Sequence, residues 1–100
     1  MMYYVAHAHG GKPENIERAK QITHDLQVND LANTYICPLM LFSHLRYGEV
    51  RYEAEMELCL DILSNCDKLI VASDTITKGV AKSISFANLV GMEVEYLEFE

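Results

Sequence analysis

The sequence predicts a single α/β domain built on a parallel sheet with helices on both faces, and three observations carry that prediction. Short β-type runs alternate with stretches of helical periodicity, the runs are nearly continuously apolar, and clear turn signals separate them. A chain of 100 residues has room for one such domain, spanning residues 1–100. Half of its residues are hydrophobic and 23% are charged, which is enough apolar material to fill a core.

The first strand is read at Tyr3-Tyr4-Val5-Ala6-His7. It runs into His9-Gly10-Gly11-Lys12 before Pro13 opens a helix at the position that tolerates proline best. Ile16, Ala19, Ile22, Thr23 and Leu26 repeat at helical spacing. Asn29-Asp30 breaks the pattern ahead of a second strand, Thr34-Tyr35-Ile36-Cys37, which Pro38 stops. Residues 38–51 mix Leu39, Met40, Leu41 and Phe42 with His44, Arg46, Tyr47, Gly48 and Arg51, fit neither period, and read as a long functional loop, a lid or an oligomer contact. A helix is predicted from Tyr52 to Asn65 and a third strand at Lys68-Leu69-Ile70-Val71-Ala72. Ser73-Asp74-Thr75-Ile76-Thr77 then leads into a helix that ends at Gly91. Met92-Glu93-Val94-Glu95-Tyr96 alternates, which places the fourth strand at a sheet edge with its glutamates toward water. Right-handed crossovers give the strand order 2-1-3-4, and ligands in such sheets bind beyond the carboxyl ends of the strands where the winding reverses, here between strands 1 and 3. The loops His7 to Lys12 and Ala72 to Thr77, with the helix N-termini beside them, therefore form the predicted site.

Composition excludes several classes. A net charge of -7 repels a phosphate backbone, so duplex nucleic acid is not an expected partner. No apolar run approaches the roughly 18 to 20 residues that span a bilayer. Met1-Met2-Tyr3-Tyr4 carries no basic region ahead of its apolar stretch, so the expectation is a cytoplasmic protein without a membrane partner. Cys37, Cys59 and Cys66 contain no CxxC pair and lie in apolar segments, which suits a reducing compartment and argues against zinc. His7 and His9 could share a metal, but the pair is non-specific and His24 and His44 add no ligand pattern. His9 reads better as a ring that stacks on a ligand or hydrogen-bonds to it, and neither a metal nor a cofactor is expected.

Two polar residues face the wrong way on a helical wheel. On the helix from Tyr52, Leu58, Ile62, Cys59, Leu63, Met56 and Leu60 make the apolar arc, and Glu55 falls inside it while Glu53, Glu57 and Asp61 face water. Glu55 lies in the first turn, pointing at the predicted site. It is either a carboxylate that binds ligand hydroxyls or moves a proton, or an N-terminal carboxylate that snorkels to water. On the helix after Thr77 the arc is Phe86, Val90, Ala87, Val80 and Ile84, with Ser83 inside it. No His-plus-acid pair accompanies Ser83 in sequence, so it reads as a packing residue rather than a nucleophile. Gly10-Gly11-Lys12-Pro13 offers backbone N–H groups and a lysine at a helix N-terminus, chemistry that suits a phosphate, although a plain strand-to-helix turn explains it equally well.

These segments resemble the nucleoside 2-deoxyribosyltransferase-like family, especially its short bacterial and phage members. The resemblance rests on Tyr4-Val5-Ala6-His7 followed by residues 10 to 20, and on Tyr35-Ile36-Cys37-Pro38. It continues through Glu55-Met56-Glu57-Leu58-Cys59 and Cys66-Asp67-Lys68, and includes Gly79, Phe86-Ala87 and Gly91. It implies a flavodoxin-like sandwich, homo-oligomers with sites near subunit contacts, and transfer or cleavage at an N-glycosidic bond through a glutamate nucleophile. The family pattern Gly-x-x-x-Glu-Ile-x-[Tyr/Phe]-Ala reads here Gly79-Val80-Ala81-Lys82-Ser83-Ile84-Ser85-Phe86-Ala87, so Ser83 stands where the nucleophile belongs. A serine forms no glycosyl ester of the carboxylate kind and supplies no charge to an oxocarbenium-like transition state. The turn after the first strand is also altered, to Ala8-His9. Arg46 and Arg51 stand where glycines are common in the short members, so the site exchanges a carboxylate for cations.

The preferred reading is non-catalytic binding, or sequestration, of a nucleotide or nucleotide-derived signal such as an ADP-ribose-type or cyclic nucleotide. The candidate ligand-binding residues are His7, His9, Gly10, Gly11, Lys12, Arg46, Arg51, Glu55, Ser73, Asp74, Gly79 and Ser83. The rival readings are an active N-glycosidase or deoxyribosyltransferase using Glu55 or Asp74, and an oligomeric adaptor without a ligand.

Overall fold

Strands with apolar side chains on both faces are stable only when helices cover the sheet from both sides. The computed structural model, which describes residues 1–42, 45 and 49–98, has that arrangement. Strands β1 (Met2–Ala6), β2 (Thr34–Ile36), β3 (Lys68–Val71) and β4 (Glu93–Tyr96) form one parallel sheet in the order β2-β1-β3-β4. Helices α1 (Pro13–Val28), α2 (Pro38–Leu41), α3 (Tyr52–Ser64) and α4 (Lys78–Val90) complete a flavodoxin-like three-layer sandwich. Tyr4 and Ala6 of β1 pack with Leu63 of α3 and Val80 and Ala87 of α4 on one face. Val5 packs with Ala19 of α1, and with Leu39 and Met40 of α2, on the other. Leu63, Leu69, Ile70, Val5 and Val71 are the largest side chains fully removed from water, and each contributes about 1.5 to 3 kcal/mol by burial.

Local chemistry sets the element ends. Pro13 occupies the start of α1. Thr23 is buried in that helix because its hydroxyl donates to the Ala19 carbonyl at 2.7 Å. At the end of α1, the Gln27 amide nitrogen donates to the carbonyls of Asp30 (2.9 Å) and Asn33 (2.8 Å), and its oxygen accepts from the Tyr35 N–H at 2.9 Å. Thr77 caps α4, its hydroxyl accepting from the Val80 N–H at 3.3 Å, and Gly91 ends the helix at φ 75° as expected. On edge strand β4, Glu93 and Glu95 are exposed and reach the Lys68 ammonium at 3.7 and 2.9 Å. That ammonium lies 4.5 Å from the centre of the Tyr3 ring.

Three expectations are corrected. The strands are shorter or shifted by one residue, β1 starting at Met2, where the Met2 N–H donates to Asp67 at 2.8 Å, and ending before His7. Pro38–Leu41 is a one-turn helix rather than loop, started by Pro38 and held by Leu39 and Met40 against the core. Four residues are too few to display a helical period. Leu58 and Val90 were expected in apolar arcs but are 41% and 55% exposed. The covered stripe of α3 follows Met56, Cys59, Leu60 and Leu63, and an apolar side chain beside such a stripe remains in water. His44, Arg46, Tyr47 and Gly48 lie outside the described residues. Among the described residues, no helix is long and apolar enough to cross a membrane.

Candidate functional site

The last paired residues of β1 and β3, Ala6 and Val71, are register partners, so the loops that follow leave the sheet side by side at the winding reversal. The first loop folds around His9. Gly10 and Gly11 take φ of 61° and 73°, a left-handed region that side chains disfavour. The turn lets the Gly11 N–H donate to His9 Nδ1 at 2.8 Å and the Lys12 N–H donate to the His9 carbonyl at 3.2 Å. The Asn15 amide donates to the same carbonyl at 2.8 Å. This corrects the expectation of turn amides open to a phosphate: those of Gly11 and Lys12 are committed to His9, and Pro13 has none. In the second loop the Ser73 hydroxyl donates to the Thr75 carbonyl at 2.8 Å and accepts from its N–H at 3.3 Å, shaping the turn. Asp74 pairs with Arg18 at 3.4 Å.

The loops and helix ends enclose two adjoining cavities. The first, of about 250 Å³, lies between α3 and α4 over the end of β1 and is walled by Pro38, Leu39, Tyr52, Met56 and Cys59 together with Glu55, Thr77, Lys78, Gly79 and Ser83. The second, of about 190 Å³, is rimmed by more polar residues, Lys12, Asn15, Arg18, Ser73 and Asp74 among them. His7, His9, Gly10 and Thr77 line both. The single cleft expected from sequence is thus two compartments. Glu55, Gly79 and Ser83 share the first, Lys12, Ser73 and Asp74 share the second, and His7 and His9 stand between them. Gly11 and Arg51 line neither, Arg51 being an exposed residue at the start of α3, and Arg46 lies outside the described residues.

His7 is 7% exposed, and its Nδ1 sits 2.8 Å from the Ala8 carbonyl. A carbonyl only accepts, so Nδ1 carries the proton and Nε2 presents a lone pair. That Nε2 is buried and, among the described residues, has no partner. Glu55 is half-buried. Ser83 is 3% exposed and its hydroxyl donates to the Gly79 carbonyl at 3.3 Å, so its proton is engaged by backbone rather than by a base. Burial pushes the neighbouring Tyr4 phenol above its ordinary range. Burial likewise pushes up the Cys59 thiol, a hydrogen bond with Tyr4 opposing and the Glu55 carboxylate adding to the rise. Both groups therefore stay protonated at neutral pH, so the Tyr4 and Cys59 side chains bring no charge to the first cavity.

Sequence reasoning missed the wall opposite. The Lys78 and Lys82 ammonium groups lie 5.6 and 5.1 Å from the centre of the Tyr52 ring, joining the start of α4 to the start of α3. The signal was a lysine pair at i, i+4 ahead of an apolar stretch, but its partner is set by tertiary packing. At Gly79 the helices approach closely: a Cβ there would meet Met56 Sδ at 3.6 Å and the Tyr52 hydroxyl at 3.7 Å. The first-turn N–H groups of α4 have no acceptor within the helix beyond the Thr77 cap, so this wall is the positive end of a helix dipole beside two lysines.

No curated protein and no solved structure matches the chain. A family model described as a domain of unknown function (DUF7768) matches residues 1–97, from the residue before β1 to the residue after β4. By that match, which takes in every strand, every helix and both cavities, the chain belongs to the DUF7768 family.

Proposed function

We propose that this chain binds a nucleotide or a small nucleotide-derived signal between α3 and α4 and does not turn it over. The observation that carries the reading is the meeting of an apolar compartment and a more polar one at the start of a helix. Pro38, Leu39, Met56 and the Tyr52 ring suit a base, while Thr77, Lys78 and Gly79, with Lys12 across the boundary, suit a phosphate. Ligand pockets commonly enclose about 300 to 1,000 Å³, so the first cavity, at about 250 Å³, is small for a mononucleotide by itself, and a linear or cyclic one would also use the space beside Thr77 that opens to the second. An ADP-ribose-type ligand would have to extend into the second. Absence of turnover is supported by Ser83, which stands at the position the nucleoside 2-deoxyribosyltransferase resemblance gives to a carboxylate and whose hydroxyl is held by a backbone carbonyl. Membership of that wider family, and the homo-oligomer it implies, belong to the same proposal.

A second reading, an N-glycosidase, is favoured by one observation: Glu55 is half-buried and faces the same cavity as Ser83. Asp74 fits that role less well, since it is paired with Arg18 in the other compartment. A thermal-shift screen of nucleosides, nucleotides, ADP-ribose and cyclic dinucleotides, followed by chromatography for released base, separates the readings. A nucleotide at a hundred times its Kd stabilises the chain by about 2.7 kcal/mol. The expected result is stabilisation by an anionic nucleotide with no free base. Base release that survives Ser83→Ala and disappears in Glu55→Gln establishes the glycosidase instead.

A further inference from the structure

We infer that His7 is a specificity residue whose Nε2 accepts a hydrogen bond from a sugar hydroxyl of the bound ligand. The inference rests on the nucleotide reading above and deepens it. A buried nitrogen with a lone pair and no partner is uncommon in a folded protein, because leaving it unsatisfied forfeits the hydrogen bond it made with water. Here the ring cannot escape by changing tautomer. Its Nδ1 is 2.8 Å from the Ala8 carbonyl, so the proton belongs on Nδ1 and Nε2 is left as an acceptor. The orphan atom therefore calls for a donor, an O–H or N–H, and disfavours a phosphate oxygen. Its place decides which donor. His7 lines both the apolar and the more polar compartment, and in a nucleotide the group between base and phosphate is the sugar. Nε2 is buried in the folded chain, so a ligand must uncover it; a ribose hydroxyl over the end of β1 would then be its donor, within the same cavity as Glu55, which can accept from a second hydroxyl. The ligand class is accordingly a ribonucleotide with a free hydroxyl, not its dideoxy counterpart. Sites that hydrogen-bond a substrate hydroxyl discriminate strongly against analogues that lack it, because the protein group is then left unpaired.

The test uses the four ribonucleoside 5′-monophosphates and their 2′,3′-dideoxy counterparts, titrated by calorimetry into the full chain. At least one ribonucleotide is expected to bind, and its dideoxy form to bind about ten-fold more weakly or worse. His7→Phe should abolish the difference between the ribonucleotide and its dideoxy form. His7→Gln, whose amide oxygen can accept, should restore most of the difference. A second measurement needs no variant: long-range proton–nitrogen spectra of chain labelled at histidine should show His7 with Nδ1 protonated and Nε2 bare. The Nε2 signal should then move on adding the ribonucleotide but not the dideoxy form. Equal affinity for the two forms, or an Nε2 signal that the ribonucleotide leaves in place, overturns the role of His7 while the nucleotide reading stands. Failure of all eight to bind overturns this inference, while the screen of ADP-ribose and cyclic dinucleotides still decides the nucleotide reading.

Discussion

Gly79→Ala separates stability from binding in one substitution. Gly79 is the second residue of α4, and glycine in a helix costs about 0.5 to 1 kcal/mol relative to alanine through the backbone freedom lost on folding. The methyl group has room, since its nearest neighbours would be Met56 Sδ at 3.6 Å and the Tyr52 hydroxyl at 3.7 Å, both ordinary van der Waals contacts. Both are side-chain atoms, so no backbone must move. The variant is therefore expected to be more stable by about 0.5 to 1 kcal/mol, which in a domain of this size raises Tm by about 2 to 8 °C. The same methyl projects into the cleft between α3 and α4, where it holds a phosphate away from the first-turn amides. A ten-fold loss of nucleotide affinity corresponds to about 1.4 kcal/mol, well within the cost of weakening one charge-assisted hydrogen bond. Calorimetric scanning and titration of the parent and variant with the best nucleotide from the screen give both numbers on one sample. A lower Tm would refute the reading that a methyl group fits at Gly79 in ordinary contact. A higher Tm with unchanged affinity would refute the placement of the phosphate at the start of α4.

Three further outcomes follow from the same geometry. Thr77→Ala removes the hydroxyl that accepts from the Val80 N–H and should cost about 1 kcal/mol of stability in urea denaturation, as loss of an N-cap commonly does. Lys78→Ala should weaken a nucleoside monophosphate about ten-fold but leave the neutral nucleoside unchanged, with the difference shrinking as salt rises. Asp30 accepts from the Asn33 amide at 2.8 Å, the Tyr35 hydroxyl at 2.7 Å and the Ala32 N–H at 3.1 Å, bonds that hold its carboxyl below the ordinary value of 3.8. A depressed carboxyl stabilises the fold above its unfolded value and loses that contribution as pH falls through the lower folded value, so Tm of the parent should decline below about pH 4. Asp30→Ala should lower Tm at neutral pH and flatten that decline; a parallel decline in both would refute the assignment.

The strands and their order were legible because continuous apolar runs have few ways to be buried, and right-handed crossovers leave one arrangement. The position of the site followed from that order alone. Glu55 and Ser83 were legible for a different reason: a polar side chain within an apolar stripe must face either a cavity or a partner, and both face the first cavity. What escaped depends on contacts that spacing does not encode. The Gly11 and Lys12 amides are consumed by His9, a side-chain and carbonyl arrangement specific to this turn. Helix α2 is shorter than the period that would announce it. The bracket of Lys78 and Lys82 around Tyr52 needs the relative placement of two helices 26 residues apart at their first residues (78 minus 52), which no local pattern carries. The tautomer of His7 turns on one neighbouring carbonyl.

The two rims of the sheet bear on how copies of this chain can meet. Along β4, the carboxylates of Glu93 and Glu95 share the single ammonium of Lys68, so a second copy laid against that rim would bring further carboxylates into a row already over-supplied with negative charge. Along β2, the Tyr35 N–H that an incoming strand would need is already taken by the Gln27 side chain of the same molecule. One rim is defended by charge and the other by prior occupancy. A shared sheet running through several copies is disfavoured at both, which leaves the helices and loops as the surfaces through which the homo-oligomer proposed above would be built.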